Sequence, residues 1–166
     1  MHTKTVGRLA GIAALAAAFV AVNSNAPFAV TAAEATEVNV PFDADSDRSH
    51  EDAQAHFDRF FAFAVSPTAA RATPQVQIEL GTELVWVAPM AQTADGFSGV
   101  ILTHGALESG DTVAFTRNDV RDWTFVGRSG KIYGSFQTRA RLPHLSRQKA
   151  APIRAVLASS VVPVDW

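Results

Sequence analysis

Apolar residues recur at Ala53, Phe57, Phe60, Phe61 and Ala64, the spacing that lines one face of a helix. Ser49 is placed to cap that helix, and Glu51 and Asp52 suit the positive end of its dipole. The helix is therefore expected to start at Ser49 and to stop at Ser66-Pro67, because proline disfavours helical geometry in the residue before it. A loop rich in small residues should follow, up to Pro74. From Gln75 the period changes to two. Val76, Ile78 and Leu80 alternate with polar residues, Gly81-Thr82 reads as a turn, and Leu84 to Met90 is a second apolar run, so the pair predicts a hairpin.

Gly96 to Thr103 and Thr112 to Thr116 read as further strands, separated by a turn region from His104 to Asp111. Asn118 to Leu142 then supplies two longer strands around Gly127-Arg128-Ser129-Gly130. If Gly127 and Gly130 flank that turn as a pair, Phe125 faces Ile132, Trp123 faces Gly134 and Arg121 faces Phe136. Trp123 is then a core anchor lying over a glycine that leaves room for its ring. Asp122 falls on the opposite face with Val120, Thr124, Tyr133, Ser135, Gln137 and Arg139. That face has two readings: ordinary solvated or hydrogen-bonded strand positions, or a polar recognition surface built on Asp122, Tyr133, Gln137 and Arg139. After Leu142-Pro143, Ser146 can start a last helix carrying Ile153, Val156 and Leu157. Pro152 disturbs that reading and moves the expected start toward Lys149, or bends the helix. The tail Val161 to Trp166 is apolar enough to dock.

These patterns predict an α+β fold: an antiparallel sheet of about five or six strands with an N-terminal amphipathic helix and a C-terminal helix packed on it. The chain before Ser49 does not join it. His2, Lys4 and Arg8 precede an apolar run from Leu9 to Val22, the order of a secretory signal. That run falls short of the roughly 20 apolar residues a spanning helix needs. Small residues permit cleavage after Ala33 or Ala35, so the expected mature chain begins near Thr36 and is periplasmic or secreted, without stable membrane insertion. The expected organisation is a signal over residues 1–35, a flexible acidic leader over 36–48 and one domain over 49–166.

Cysteine is absent, which removes disulfides, thiol catalysis and thiolate metal ligands and leaves stability to the core. Charge is unevenly spread. Glu37 to Asp111 holds twelve acids against Arg48, Arg59 and Arg71, whereas Thr112 onward holds Asp119, Asp122 and Asp165 against nine Lys and Arg. Such a split either neutralises itself across the fold or leaves a two-signed surface able to steer a charged partner.

Candidate chemistry is sparse. Asp43-x-Asp45-x-Asp47 opens like a calcium loop, but Arg48 stands where the turn needs glycine and Gln54 where it needs a bidentate glutamate, so an acidic linker is the better reading. His50-Glu51 lacks the second histidine of a zinc-protease helix, and His56 is six residues on; His104 and His144 stand alone. Ser98 and Ser129 lack the second glycine of a hydrolase elbow, and there is no phosphate-cradling loop, cofactor motif or nucleic-acid patch. The carboxylate pairs Glu108 with Asp111 and Asp119 with Asp122 are the acid-base candidates.

Phe97-x-Gly99, Gly110-Asp111-x-Val113-x-Phe115, Asp119-Val120-x-Asp122-Trp123, Gly130-Lys131-x-x-Gly134 and Thr138-Arg139 occur in one order. In that order the chain resembles the YegJ-like family of bacterial proteins, domain of unknown function 2314, over roughly Val76 to Leu157. The resemblance implies a small bacterial domain of strands and flanking helices, with no established activity and no catalytic residues to carry over. His104-Gly105 replaces the proline-containing turn of the family pattern, and the acidic leader lies outside it. The expected function is a non-catalytic binding or interaction module that meets an envelope or periplasmic protein or a small ligand. The alternative is a periplasmic hydrolase whose carboxylates assemble only in the fold.

Overall fold

The computed structural model describes residues 44–103 and 110–166. The signal-like segment, the leader up to residue 43, His104 and Glu108 lie outside the described residues. Helices α1 (Ala44–Ala55) and α2 (Phe57–Ala64) come first, then strands β1 (Gln75–Leu80), β2 (Glu83–Thr93), β3 (Gly96–Thr103), β4 (Thr112–Phe115), β5 (Val120–Val126) and β6 (Ile132–Gly134). Helices α3 (Phe136–Arg141) and α4 (Arg147–Val156) close the chain. The strands form one antiparallel sheet in the order β4-β3-β2-β1-β5-β6. The fold is α+β, with helices flanking a six-stranded sheet.

The helical stripe is buried as its spacing requires: Ala53, Phe57, Phe60, Phe61 and Ala64 all lie in the core. The helix boundaries differ from the sequence expectation in two ways. α1 begins at Ala44, so Ser49 is an internal, buried helix residue whose hydroxyl donates back to the Ser46 carbonyl instead of capping. The helix also breaks at His56. There the Ala53 carbonyl accepts from the Trp123 indole N–H at 2.9 Å and the Gln54 carbonyl accepts from Arg117 at 3.0 Å. Two carbonyls at the C-terminal end of α1 are thus satisfied by side chains from the far end of the sequence, and α2 restarts in a new direction. Asp47, the last of the three alternating aspartates, lies inside α1, and Asp43 lies outside the described residues.

The core is aromatic. Phe60 stacks on Trp123 at 4.7 Å, Phe57 meets Phe97 edge-on at 5.0 Å, and Trp166 of the docked tail packs against Phe63 at 5.4 Å and Phe125 at 5.3 Å. At β5 the pairing with β1 slips, matching Gln77 to Asp122 and Ile78 to Val120 with Arg121 as the extra residue. This bulge lets Val120 and Trp123 both reach zero exposure although three positions separate them.

The second hairpin is shifted by one residue from the expected register. Thr124 pairs with Gly134, Phe125 with Tyr133 and Val126 with Ile132. The cause is the turn: Gly127 N–H donates to the Lys131 carbonyl, Gly130 N–H to the Gly127 carbonyl, and Gly130 takes φ +74°, which makes a three-residue loop ending in a left-handed glycine. Tyr133 consequently stacks on Phe125 at 5.2 Å instead of joining a polar face. β6 stops at Gly134, and Phe136 to Arg141 is helix where a strand was expected. The reason is local. Gly134 at φ +71° and Ser135 at φ +56° are consecutive left-handed residues that turn the chain out of the sheet.

α4 starts where Ser146 caps it, its hydroxyl accepting from Lys149 N–H, and Pro152 is carried inside the helix. Ala150 is its buried residue, while Val156 is exposed, so the apolar stripe expected there only partly packs. No helix among the described residues is long and apolar enough to cross a membrane.

Candidate functional site

Asp122 is at the sheet interior, 3 % exposed, not on a solvated face. Its carboxylate accepts from the backbone N–H of Trp123 at 2.7 Å, Phe136 at 3.0 Å and Gln137 at 3.1 Å. The last two are the first free N–H groups of α3, so β5 supplies from across the fold the cap that Ser135 does not. Ser135 instead gives its hydroxyl to Thr124. Burial pushes the Asp122 carboxyl up to about 6, against the opposing pull of those N–H groups and of Arg139.

Arg139 is equally committed. Its guanidinium donates to the carbonyls of Gly134 at 2.7 Å, Ala158 at 3.0 Å and Ile132 at 3.2 Å, with Ser160 at 3.5 Å. The same segment runs along β6: Ala158 N–H donates to the Ile132 carbonyl, Gly134 N–H to the Val161 carbonyl, and Leu157 bridges Ile132 in parallel. The open edge of the sheet is thereby covered, and Arg139 is the fork that ties edge to cover. Gln137 gives its backbone N–H to Asp122 and reaches the Arg121 carbonyl with its side chain.

Of the four residues expected to form a polar face, the structure brings Tyr133 and Arg139 to one solvent-open groove and places Asp122 and Gln137 elsewhere. The groove holds about 560 Å³ and is lined by Tyr133, Arg139, Lys131 and Arg154, with the hydroxyls of Ser129 and Ser159 at its margin and Leu142 and Leu157 supplying apolar surface. That size falls within the roughly 300 to 1,000 Å³ of small-ligand sites. The β5–β6 turn positions Ser129 and Lys131, α3 brings Arg139, and α4 brings Arg154. Lys131 donates to the Ala155 carbonyl in the last turn of α4, where a cation meets the negative end of the helix. Arg154 is exposed, and Tyr133 is partly buried against the core.

The sequence marks none of Lys131, Arg154, Ser129 and Ser159 as a binding residue; Ser129 enters there only as a turn residue and a rejected hydrolase serine, and Lys131 only within the Gly130-Lys131-x-x-Gly134 spacing. One signal could have found them: between Asp122 and Asp165 the chain has no acid, but it has Arg128, Lys131, Arg139, Arg141, Arg147, Lys149 and Arg154. The charge split therefore is not neutralised within this end of the sequence.

A second polar cluster joins α1 to the sheet. Arg121 pairs with Glu79 and its Nη1 lies 2.9 Å from His50 Nε2, which is also 3.3 Å from Gln54. Burial, then the Arg121 charge, hold His50 below its ordinary value, against smaller raising contributions from the Val120 backbone, Asp47 and Glu51. The acid-base candidates do not converge on the groove. Asp119 accepts from Thr116 N–H and hydroxyl at the short turn before β5, Asp122 caps α3, and Glu108 lies outside the described residues. No group of three or more His, Cys, Asp or Glu able to hold a metal occurs among the described residues. No family model, curated protein or solved structure matches the chain.

Proposed function

We propose that the chain is an exported, non-catalytic binding module whose contact surface is the groove beside β6. The observation that carries this reading is the meeting of Lys131, Tyr133, Arg139 and Arg154 around one open concavity of about 560 Å³ with no acid among its lining residues. The rigid parts beneath it suit recognition: Arg139 is immobilised by four carbonyls and Tyr133 by its stack on Phe125. A preformed wall costs little conformational entropy on binding. Export rests on the basic start and apolar run of the first residues, and kinship with the YegJ-like proteins on the Asp122-Trp123, Gly134 and Thr138-Arg139 spacing. In this reading Asp122, Trp123 and Gly134 maintain the fold that presents the groove.

The test is a small-molecule screen by thermal shift, followed by amide chemical-shift mapping of each hit. Hits that move the amides of Ser129 to Tyr133 and Leu157 to Ser159 support the reading. Hits that map only to other surfaces, or a screen without hits, refute it.

A further inference from the structure

We infer that the groove takes a small phosphate ester, an inference that rests on the binding reading above and names its ligand. The lining offers cationic and hydroxyl groups and no carboxylate: exposed Lys131 and Arg154, half-buried Arg139, and Ser129, Ser159 and Tyr133 as residues with hydroxyl donors. A carboxylate carries one charge on two oxygens, which one cation neutralises. A phosphate monoester carries up to two charges on three terminal oxygens, and it uses more donors and more than one cation. Arg154 has no ion pair or hydrogen bond among the described residues, so its guanidinium is available, and Lys131 is held beside it by the Ala155 carbonyl. No acid lines the groove, and the carboxylate that interacts with Arg139 is the buried Asp122, which is not among the lining residues. Leu142, Leu157 and the edge of Tyr133 give the organic part of the ester an apolar wall.

The experiment titrates the protein with glycerol 3-phosphate, with acetate as the carboxylate comparison, reading amide shifts and calorimetric affinity. A second arm measures sedimentation with phosphatidic acid vesicles, which carry the same phosphate monoester on a membrane. Glycerol 3-phosphate should move the amides of Ser129 to Tyr133 and Leu157 to Ser159, bind at least tenfold more tightly than acetate, and lose at least tenfold in affinity on Arg154→Glu or Lys131→Glu. Arg147→Glu, on α4 but outside the groove lining, should change affinity less than twofold. Vesicle binding in addition assigns the source to a lipid headgroup, and its absence assigns it to a soluble ester; both support the chemistry. Equal losses from Arg147→Glu and Arg154→Glu would reduce the effect to general charge and overturn the inference. So would no shift with glycerol 3-phosphate while a neutral screening hit still maps to the groove, an outcome that leaves the binding reading standing.

Discussion

Trp123 and Gly134 occupy each other's space: a Cβ placed on Gly134 would collide with the Trp123 carbonyl and stand 2.6 Å from its Cε3 and 2.8 Å from its Cζ3. They are not direct cross-strand partners, since Gly134 pairs with Thr124, but the indole still covers the glycine backbone. Gly134 also sits at φ +71°, so two independent constraints demand glycine. Gly134→Ala should abolish cooperative folding or cost several kcal/mol in urea unfolding, on the order of the losses seen when cores are overpacked and backbone is strained together.

Trp123 has no exposed surface and its N–H satisfies Ala53 at the α1 break. Trp123→Ala should cost about 3 to 5 kcal/mol in the same measurement. Trp123→Phe should cost less but still leave the Ala53 carbonyl without its donor, a penalty of about 1 to 3 kcal/mol. Hydrogen exchange should then rise first at the α1–α2 junction.

Asp122 makes the fold pH-sensitive in a direction opposite to most carboxylates. Its pKa is raised from 3.8 to about 6, so the folded chain holds a proton that the unfolded chain has released. The stability this contributes is fully present below about 3.8 and is lost as pH rises through about 6. Carboxyl carbon NMR should show a titration near 6, and Asp122→Ala should remove it while costing about 1 to 3 kcal/mol through three unpaired N–H groups. A titration at the ordinary aspartate value would contradict the burial seen here.

His50 acts in the opposite sense. Its lowered pKa means that the stability it contributes is present above 6.5 and is lost as pH falls through the folded value, when a second cation forms beside Arg121. His50→Gln should therefore flatten the acid side of the stability profile, measured by thermal unfolding from pH 7 to 4. Asp122→Ala should steepen it.

Arg139→Lys should not substitute for arginine, because one ammonium cannot reach carbonyls on both β6 and the segment covering it. The expected signature is local: faster exchange at Ala158 and Gly134, whose N–H groups tie the two segments, with less change in β1 and β2.

The fold was largely legible because its signals are periodic. The stripe from Ala53 to Ala64 names its buried residues, and of the alternation from Val76 to Leu80 the first two, Val76 and Ile78, are buried, while Leu80 is only partly so and Gln77 between them is buried as well. The hairpin register was not legible, since a three-residue turn and a two-residue turn share the same Gly127-Arg128-Ser129-Gly130 letters and differ only in which carbonyl Gly127 meets. The helix at Phe136 was hidden for a related reason. Its cap, Asp122, is fourteen residues upstream and visible only once β5 lies beside it. The groove depends on α4 and the β5–β6 turn meeting in space, and only its charge was written in the chain.

The central claim is that binding and folding are carried by different residues, and one paired measurement tests it most directly. Affinity for glycerol 3-phosphate and the unfolding midpoint are measured together for the wild type, Arg154→Glu and Asp122→Ala. Arg154→Glu should lose the ligand at a stability within about 0.5 kcal/mol of wild type, as an exposed substitution does. Asp122→Ala should be clearly less stable, yet its folded fraction should bind with wild-type affinity. Undiminished binding by Arg154→Glu, or lost binding by folded Asp122→Ala, would contradict the account.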